Sequence, residues 1–278
     1  MVLLLHFRSH APAWECIPGR SNVPKEKHMT KLRIQRKKGI LSFEERYFEP
    51  VSNSHSEPLT IYYQTPNYPQ NYKWSEFKTL HIDLSQSEDA LLKDITKNTR
   101  YEINRFFKKD TLDCKIIAKP DIEIINTFAN FYNDFAEKKG LKKCNTQKIE
   151  RLAEKNGIIF SVVLNKHLNA ICYHVFIVNG VRTRLLHSVS QFRDIKDKDE
   201  QKMIARANRG LHWFDMKYFK ANGYKIYDMG GLADLDIHPD MASINKFKKG
   251  FGGKEVTEYN VYCSNTLLGR IASAILTH

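Results

Sequence analysis

The chain has 278 residues, 42% of them hydrophobic and 12% aromatic, enough for one large domain or two small ones and too much for disorder to be its default state. Lys and Arg number 44 against 31 Asp and Glu, a formal charge of +13, which suits an anionic partner (nucleic acid, a nucleotide-bearing cofactor, a nucleotide sugar or an acidic membrane surface) and equally a merely basic surface. Five widely spaced cysteines, odd in number and without a Cys-x-x-Cys pair, argue against a disulfide scaffold and a zinc ribbon and point to a reducing, cytoplasmic setting.

Residues 1–28 open with an apolar run that is far too short to span a bilayer, and Pro12, Pro18, Gly19 and Pro24 follow without periodicity. They are expected to form an unstructured arm or to follow a start codon set too early. No other stretch reaches membrane-spanning length. Residues 29–110 read as an N-terminal, partly α/β subdomain with short strands at 32–36, 59–63 and 79–84. Ser85-Gln86-Ser87-Glu88 then offers a capping serine, and Leu91, Leu92, Ile95, Ile103, Phe106 and Phe107 keep helical spacing to about residue 109. That helix is basic, carrying Lys93, Lys97, Arg100, Arg105, Lys108 and Lys109.

Residues 111–278 form the second expected domain. Their pattern predicts a strand at 115–118, helices at 121–139 and 146–155, and strands at 158–164, 168–178 and 181–190, the last two joined by an Asn179-Gly180 hairpin turn. A long helix at 199–222 follows, striped by Ile204, Ala207, Leu211, Phe214 and Tyr218 and stopped by Gly223. A short buried strand at 225–229, a helix at 241–249, a strand at 255–263 and a terminal helix at 265–276 complete the order. This is an α+β pattern with a mixed sheet flanked by helices, and it contains neither a dinucleotide glycine fingerprint nor a phosphate loop.

Three stretches carry candidate chemistry. On the long helix Asn208, His212 and Asp215 share one face beside the apolar stripe, with Trp213 flanking them. Asp228 ends a short strand after Tyr227 and just before Gly230 and Gly231, where the backbone can approach a ligand and an aspartate can accept a proton or cap the turn. Lys246, Phe247 and Lys248 run into the glycine-rich bend around Phe251, a setting for phosphate or for the oxyanion of an acyl intermediate. Strict alternation along the strand at 181–190 places His187 with Leu185 and Val189 on one face and Ser188 with Ser190 on the other, and either set could meet an acceptor. His174 reads as a core histidine with a satisfied hydrogen bond. No His-Glu-x-x-His or comparable metal-ligand set is present.

The helix Arg-Ala-Asn-x-x-Leu-His-Trp (206–213), the strand end Tyr-Asp-x-Gly-Gly (227–231) and the turn Phe-Lys-x-Gly-Phe-Gly-Gly (247–253) together resemble the FemAB-like branch of the GNAT superfamily of acyl-CoA N-acyltransferases. The basic stretch Lys97-Asn98-Thr99-Arg100 with Ile103 and Arg105 resembles that branch's basic helix, so the likeness runs over about 88–263. It implies a GNAT core in 111–278 and transfer of an acyl or aminoacyl group, from acyl-CoA or aminoacyl-tRNA, to an amine, with no metal. The acceptor it suggests is an amino sugar on a nucleotide or lipid carrier in cell-envelope or polysaccharide synthesis, so the expected partners are an anionic or nucleotide-linked substrate, tRNA and the surface of an acidic membrane. Expected roles are Asp228 or His212 in deprotonation and Lys248 in oxyanion stabilisation. Asn208, Trp213, His187, Ser188, Tyr227, Gly230, Gly231 and Phe251 are expected at the substrate, and Arg193, Lys246, Arg100 and Arg105 at phosphates. The loop 191–198 lacks the glycines with which coenzyme A-dependent GNAT enzymes hold pyrophosphate. Two rivals stand beside this reading: a nucleic-acid-binding protein that grips phosphates with helix 91–109 and stacks bases on Phe106, Phe107 and Trp74, and an inactive GNAT scaffold.

Overall fold

The structure, a computed structural model, describes residues 28–52, 55–110, 112–191, 195–264 and 266–276. The arm expected at 1–28 lies outside the described residues except for His28.

Strands β1 (Leu32–Lys38), β2 (Leu41–Tyr47), β3 (Leu59–Thr65) and β4 (Lys73–Asp83) precede helices α1 (Glu88–Asp94) and α2 (Lys97–Lys109). Next come β5 (Asp113–Ile117), α3 (Ile122–Lys138), α4 (Thr146–Glu154), β6 (Ile158–Leu164), β7 (Ala170–Val178) and β8 (Arg182–Ser190). The long helix α5 (Lys198–Ala221), β9 (Ile226–Gly231), a 3-10 turn (Pro239–Met241), α6 (Ala242–Lys249), β10 (Lys254–Ser264) and α7 (Leu267–Leu276) end the order. All ten strands form one sheet in the order β1-β2-β3-β10-β4-β9-β8-β7-β6-β5, antiparallel except at β2–β3 and β8–β9. Since β4 pairs with both β9 and β10, the sheet runs straight through the seam expected at residue 110.

Right-handed twist of roughly 20° per strand step accumulates over so many strands and turns the two ends of the sheet toward each other. Leu32, Ile34 and Tyr47 from one end thereby join the cluster built by Phe128, Leu152, Phe160 and Val175 from the other. The backbone N–H of Thr30 reaches the carbonyl of Asn179 at 2.9 Å. The opposite face is covered by α1, α2, α5 and α6, where Leu80, Ile82, Ile103, Trp213, Phe219 and Tyr227 share a second core. Gly210 lets α5 lie directly on α2, for a Cβ there would fall 2.1 Å from the Phe106 ring.

Three expectations are corrected. The helix expected from the 85–88 cap to 109 is two helices, with Ser87 capping the first through the Ala90 N–H. It breaks at Ile95 and Thr96 because Thr96 gives its N–H to Gly250 across the fold instead of to its own helix. Strand β2 was hidden by the charged run Glu44-Glu45-Arg46; these side chains are buried because Arg46 pairs with Glu44 and Tyr62, and Glu45 with Arg36 and Lys148. At the β7–β8 turn only Gly180 has positive φ, and the Asn179 side chain accepts the N–H groups of Val181 and Arg182. Asparagine works there as a side-chain cap rather than through a left-handed backbone.

Candidate functional site

Parallel strands β8 and β9 pair only at Arg182↔Ile226, Thr183↔Tyr227 and Arg184↔Asp228, and then separate. Two local features drive them apart. Strand β8 carries a bulge, its register against β7 shifting between Val175↔His187 and Phe176↔Leu185 so that Leu186 is the extra residue. Strand β9 turns away at Gly230, whose φ of 73° suits glycine and whose absent Cβ would lie 2.7 Å from the Leu185 carbonyl. The Gly230 N–H, having left the ladder, donates to the Asp228 carboxylate at 2.8 Å. The gap between the strands is a cavity of about 400 Å³, within the usual range for small-molecule sites, walled by β8, β9, α5 and α6.

From α5, Asn208 and His212 face this cavity. Behind them Asp215 holds His174 Nδ1 at 2.7 Å, and His174 Nε2 lies 2.8 Å from Asn208 Oδ1, so the Asn208 amide is fixed against the cavity wall. Burial raises the Asp215 carboxyl, against the opposing pull of its hydrogen bond to His174. His212 Nδ1 bonds the Tyr227 hydroxyl at 2.7 Å, while its Nε2 has no partner among the described residues. Burial, reinforced by the neighbouring His174, Lys248 and Arg209 charges, holds His212 well below the ordinary imidazole range, so it is a neutral ring at physiological pH.

Two cations line the same cavity. Lys248 donates from Nζ to the Gly231 carbonyl at 2.5 Å, and burial together with Arg184 lowers its ammonium to about 8. Arg184 lines the same cavity with its guanidinium 5.1 Å from the Phe77 ring. Ser243, Ile244 and Phe247 complete this side, and Arg209 lies 5.1 Å over the Phe247 ring.

Asp228 belongs to a buried network beneath this floor. It accepts from Thr79, from Gln64 Nε2 at 3.0 Å and from Arg182, which also makes two 2.7 Å bonds to Glu258. Burial alone would raise its carboxyl, but His81 at 3.7 Å and the Arg182 and Arg184 charges outweigh that and hold it well below the usual carboxylate range. A carboxylate with every lone pair engaged cannot also take a proton from substrate, so the basic role expected for Asp228 is replaced by a structural one.

The structure thus brings His212, Lys248, Asn208, Ser188, Gly230 and Gly231 of the expected residues to one cavity. Tyr227 and Phe251 are core residues that touch His212 from behind, and Trp213 packs in the helix-covered core. His187 lies on the other sheet face against Phe128 and Tyr132, where burial lowers its imidazole to about 4. The bulge explains this: Leu185 joins the helix-covered core, while His187 and Val189 lie across the sheet from it, so strict alternation fails. Arg100 donates to the Leu92 carbonyl, Arg105 and Lys246 are exposed away from the cavity lining, and Arg193 lies outside the described residues. Phe106 is buried, which takes it from the stacking platform expected for nucleic acid, while Phe107 is exposed and Trp74 is exposed with one face stacked on Tyr68 at 4.0 Å. Sequence reasoning missed Arg184, the Asp215–His174 pair and the Arg182–Glu258 arm. The alternation of Arg182 and Arg184 in an otherwise apolar hairpin was the available signal. Two groups have metal-compatible spacing, His174 with His212 and Asp215, and His81 with Asp228 and Glu258. In the first group Asp215 is bonded to His174, in the second Asp228 and Glu258 are bonded to Arg182, and His212 Nε2 and His81 Nε2 have no hydrogen-bond partner among the described residues.

No protein-family model and no curated sequence matches the chain. Solved structures do. FemX superposes with a TM-score of 0.53 at 15% identity, over 73% of this chain and 65% of FemX, so the chain spans a little under two-thirds of that protein. The C-terminal domain of a protein assigned as lysylphosphatidylglycerol synthetase from Agrobacterium fabrum gives 0.53 at 12% identity, over 91% of this chain and 88% of that one. L-PGS from Bacillus licheniformis gives 0.51 at 13%, over 88% and 85%. The chain therefore shares its fold with FemX and with these synthetase structures, in keeping with the fold expected from the sequence, and at these identities the likeness is one of fold alone. Among the described residues no helix is long and apolar enough to cross a membrane.

Proposed function

We propose that the chain is an N-acyltransferase in which an amine acceptor attacks an activated acyl or aminoacyl carbon directly, with no covalent enzyme intermediate. The observation that carries this reading is the meeting of a neutral His212, whose buried Nε2 has no partner among the described residues, and the Lys248 ammonium in the lining of the cavity opened by the β8–β9 separation. With Nδ1–H given to Tyr227, His212 Nε2 accepts a hydrogen bond from the amine and aims its lone pair. Lys248 donates to the oxyanion that forms as the carbonyl is attacked. Collapse then breaks the bond from the acyl carbon to the sulfur or oxygen of the donor, and the proton lost by the amine accompanies the leaving group.

The N-terminus of α5 bears on the donor. Its first N–H groups are taken by the Asp197 side chain, at 2.9 Å from Asp199 N and 2.8 Å from Glu200 N, and Asp199 and Glu200 add negative charge. A helix start already capped by carboxylates is a poor seat for pyrophosphate. Of acyl-CoA and aminoacyl-tRNA, this favours the aminoacyl donor, in keeping with a fold shared by a domain assigned to a lysylphosphatidylglycerol synthetase. The acceptor class remains an amine on a nucleotide- or lipid-linked carrier used in cell-envelope synthesis, met in the cytoplasm or at an acidic membrane surface. Single-turnover transfer from labelled aminoacyl-tRNA and from acyl-CoA to a panel of amines tests the reading. Lys248→Ala should lower turnover by about 10²–10³-fold while the protein stays folded. Undiminished turnover in that variant removes Lys248 from the mechanism.

A further inference from the structure

Arg184 is a cation to which the fold supplies no bonded anion. Its Nε is buried without a partner, and no hydrogen bond to its guanidinium occurs among the described residues. The carboxylate opposite it across the β8–β9 pair, Asp228, already serves Thr79, Gln64, Arg182 and the Gly230 N–H. Phe77 lies 5.1 Å from the guanidinium and supports it in place. Lys248, the other cation lining the cavity, has one donor on the Gly231 carbonyl and repels Arg184 rather than offsetting its charge. A buried guanidinium N–H without a partner is unfavourable, and a ligand that reaches it from the cavity relieves that cost.

We propose that Arg184 receives an oxyanionic group, a carboxylate or phosphate, that the substrate carries close to its reacting atoms. The closeness follows from size: Arg184, Lys248 and His212 line one cavity of about 400 Å³, so a molecule that places an amine or acyl carbon between His212 and Lys248 has its next substituents at Arg184. The phosphates of a long donor, remote from its acyl carbon, do not meet this requirement. The proposal rests on the acyl-transfer reading for the identity of the reacting atoms, but the anion site can be measured without it.

The first arm is binding. Side-chain arginine ¹⁵Nε–H spectra of the full chain, with the Arg184 signal assigned by its loss in Arg184→Lys, are titrated with acetate and with inorganic phosphate. A saturable shift of that signal is expected with at least one of them, and the responding anion tells carboxylate from phosphate. A signal unmoved by both anions overturns the proposal. The second arm is selectivity: amine acceptors bearing a carboxylate or phosphate are compared with neutral isosteres. Wild type should favour the anionic member by about 10–100-fold in kcat/KM, the worth of a charge-assisted hydrogen bond. Arg184→Gln should level the pair mainly through KM, and Arg184→Lys should restore part of the difference and serves where the glutamine variant folds poorly. Equal use of both members by wild type overturns the proposal. Anion binding in the first arm with no transfer to any acceptor supports the anion site and counts against the acyl-transfer reading instead.

Discussion

Replacing Lys248 with methionine should make the protein more stable while removing its activity. The ammonium ordinarily titrates at 10.5 and is lowered to about 8 here, first by burial and then by Arg184. A base whose folded pKa is depressed is harder to protonate in the fold than in the unfolded chain, so below pH 8 the charge opposes folding, by up to roughly 3 kcal/mol. Water in the open cavity screens part of that, and methionine forfeits the 2.5 Å bond to Gly231, worth about 1 kcal/mol. A net gain of about 1 kcal/mol at pH 7 remains, or about 2–4 °C in Tm for a domain of this size. The sign reverses with pH: between pH 8 and 10.5 the lysine becomes neutral in the fold, its cost fades, and the lost hydrogen bond leaves the variant no better than wild type. Urea unfolding of both proteins at pH 7, 8.5 and 10 reads this directly. If Lys248→Met is destabilised at pH 7 by an amount that does not change up to pH 10, the ammonium is not held at a desolvated site and its place in the mechanism loses its physical basis.

Other substitutions probe the scaffold. Gly230→Ala forces a side chain into a left-handed backbone, about 1–2 kcal/mol by itself, and against the Leu185 carbonyl. It should lower stability beyond that figure and close the gap between β8 and β9, and wild-type urea midpoint and turnover together would refute the role given to this glycine. Asp228→Asn should cost about 3 kcal/mol, since it removes one of the two carboxylates that hold the buried Arg182 and leaves it Glu258 alone. Because the Asp228 carboxyl titrates below its ordinary 3.8, its contribution is full above that pH and is lost as pH falls toward the folded value. Acid unfolding should therefore be flatter in Asp228→Asn than in wild type below pH 4, and parallel curves would contradict the assignment.

Local rules read much of the architecture from the sequence. Asp121 caps α3 and Asn145 caps α4. The stripe on α5 held through Ile204, Ala207 and Leu211, because helix period is encoded within a few residues, and then shifted to Trp213, Met216 and Phe219, with Phe214 and Tyr218 half-buried. The placing of Asn208 and His212 on one helical face was legible for the same reason, and so was the glycine pair at the end of β9. What local pattern could not show was any feature that depends on a partner far along the chain. Strand β2 is a buried strand made of charged residues, and only the arrival of Lys148 from α4 and Tyr62 from β3 makes that affordable. The Leu186 bulge sends His187 to the wrong face for chemistry, a one-residue slip that alternation cannot anticipate. Asp228 looked like a base until its four partners, drawn from β3, β4, β8 and its own strand, were in place. Sequence alone settled where Asn208 and His212 sit on their helix, since that follows from backbone period; the face of His187 and which polar groups remained free to act were decided by tertiary structure, since a bulge is fixed by strand pairing and a side chain is reactive only where the rest of the fold leaves its polar atoms unengaged.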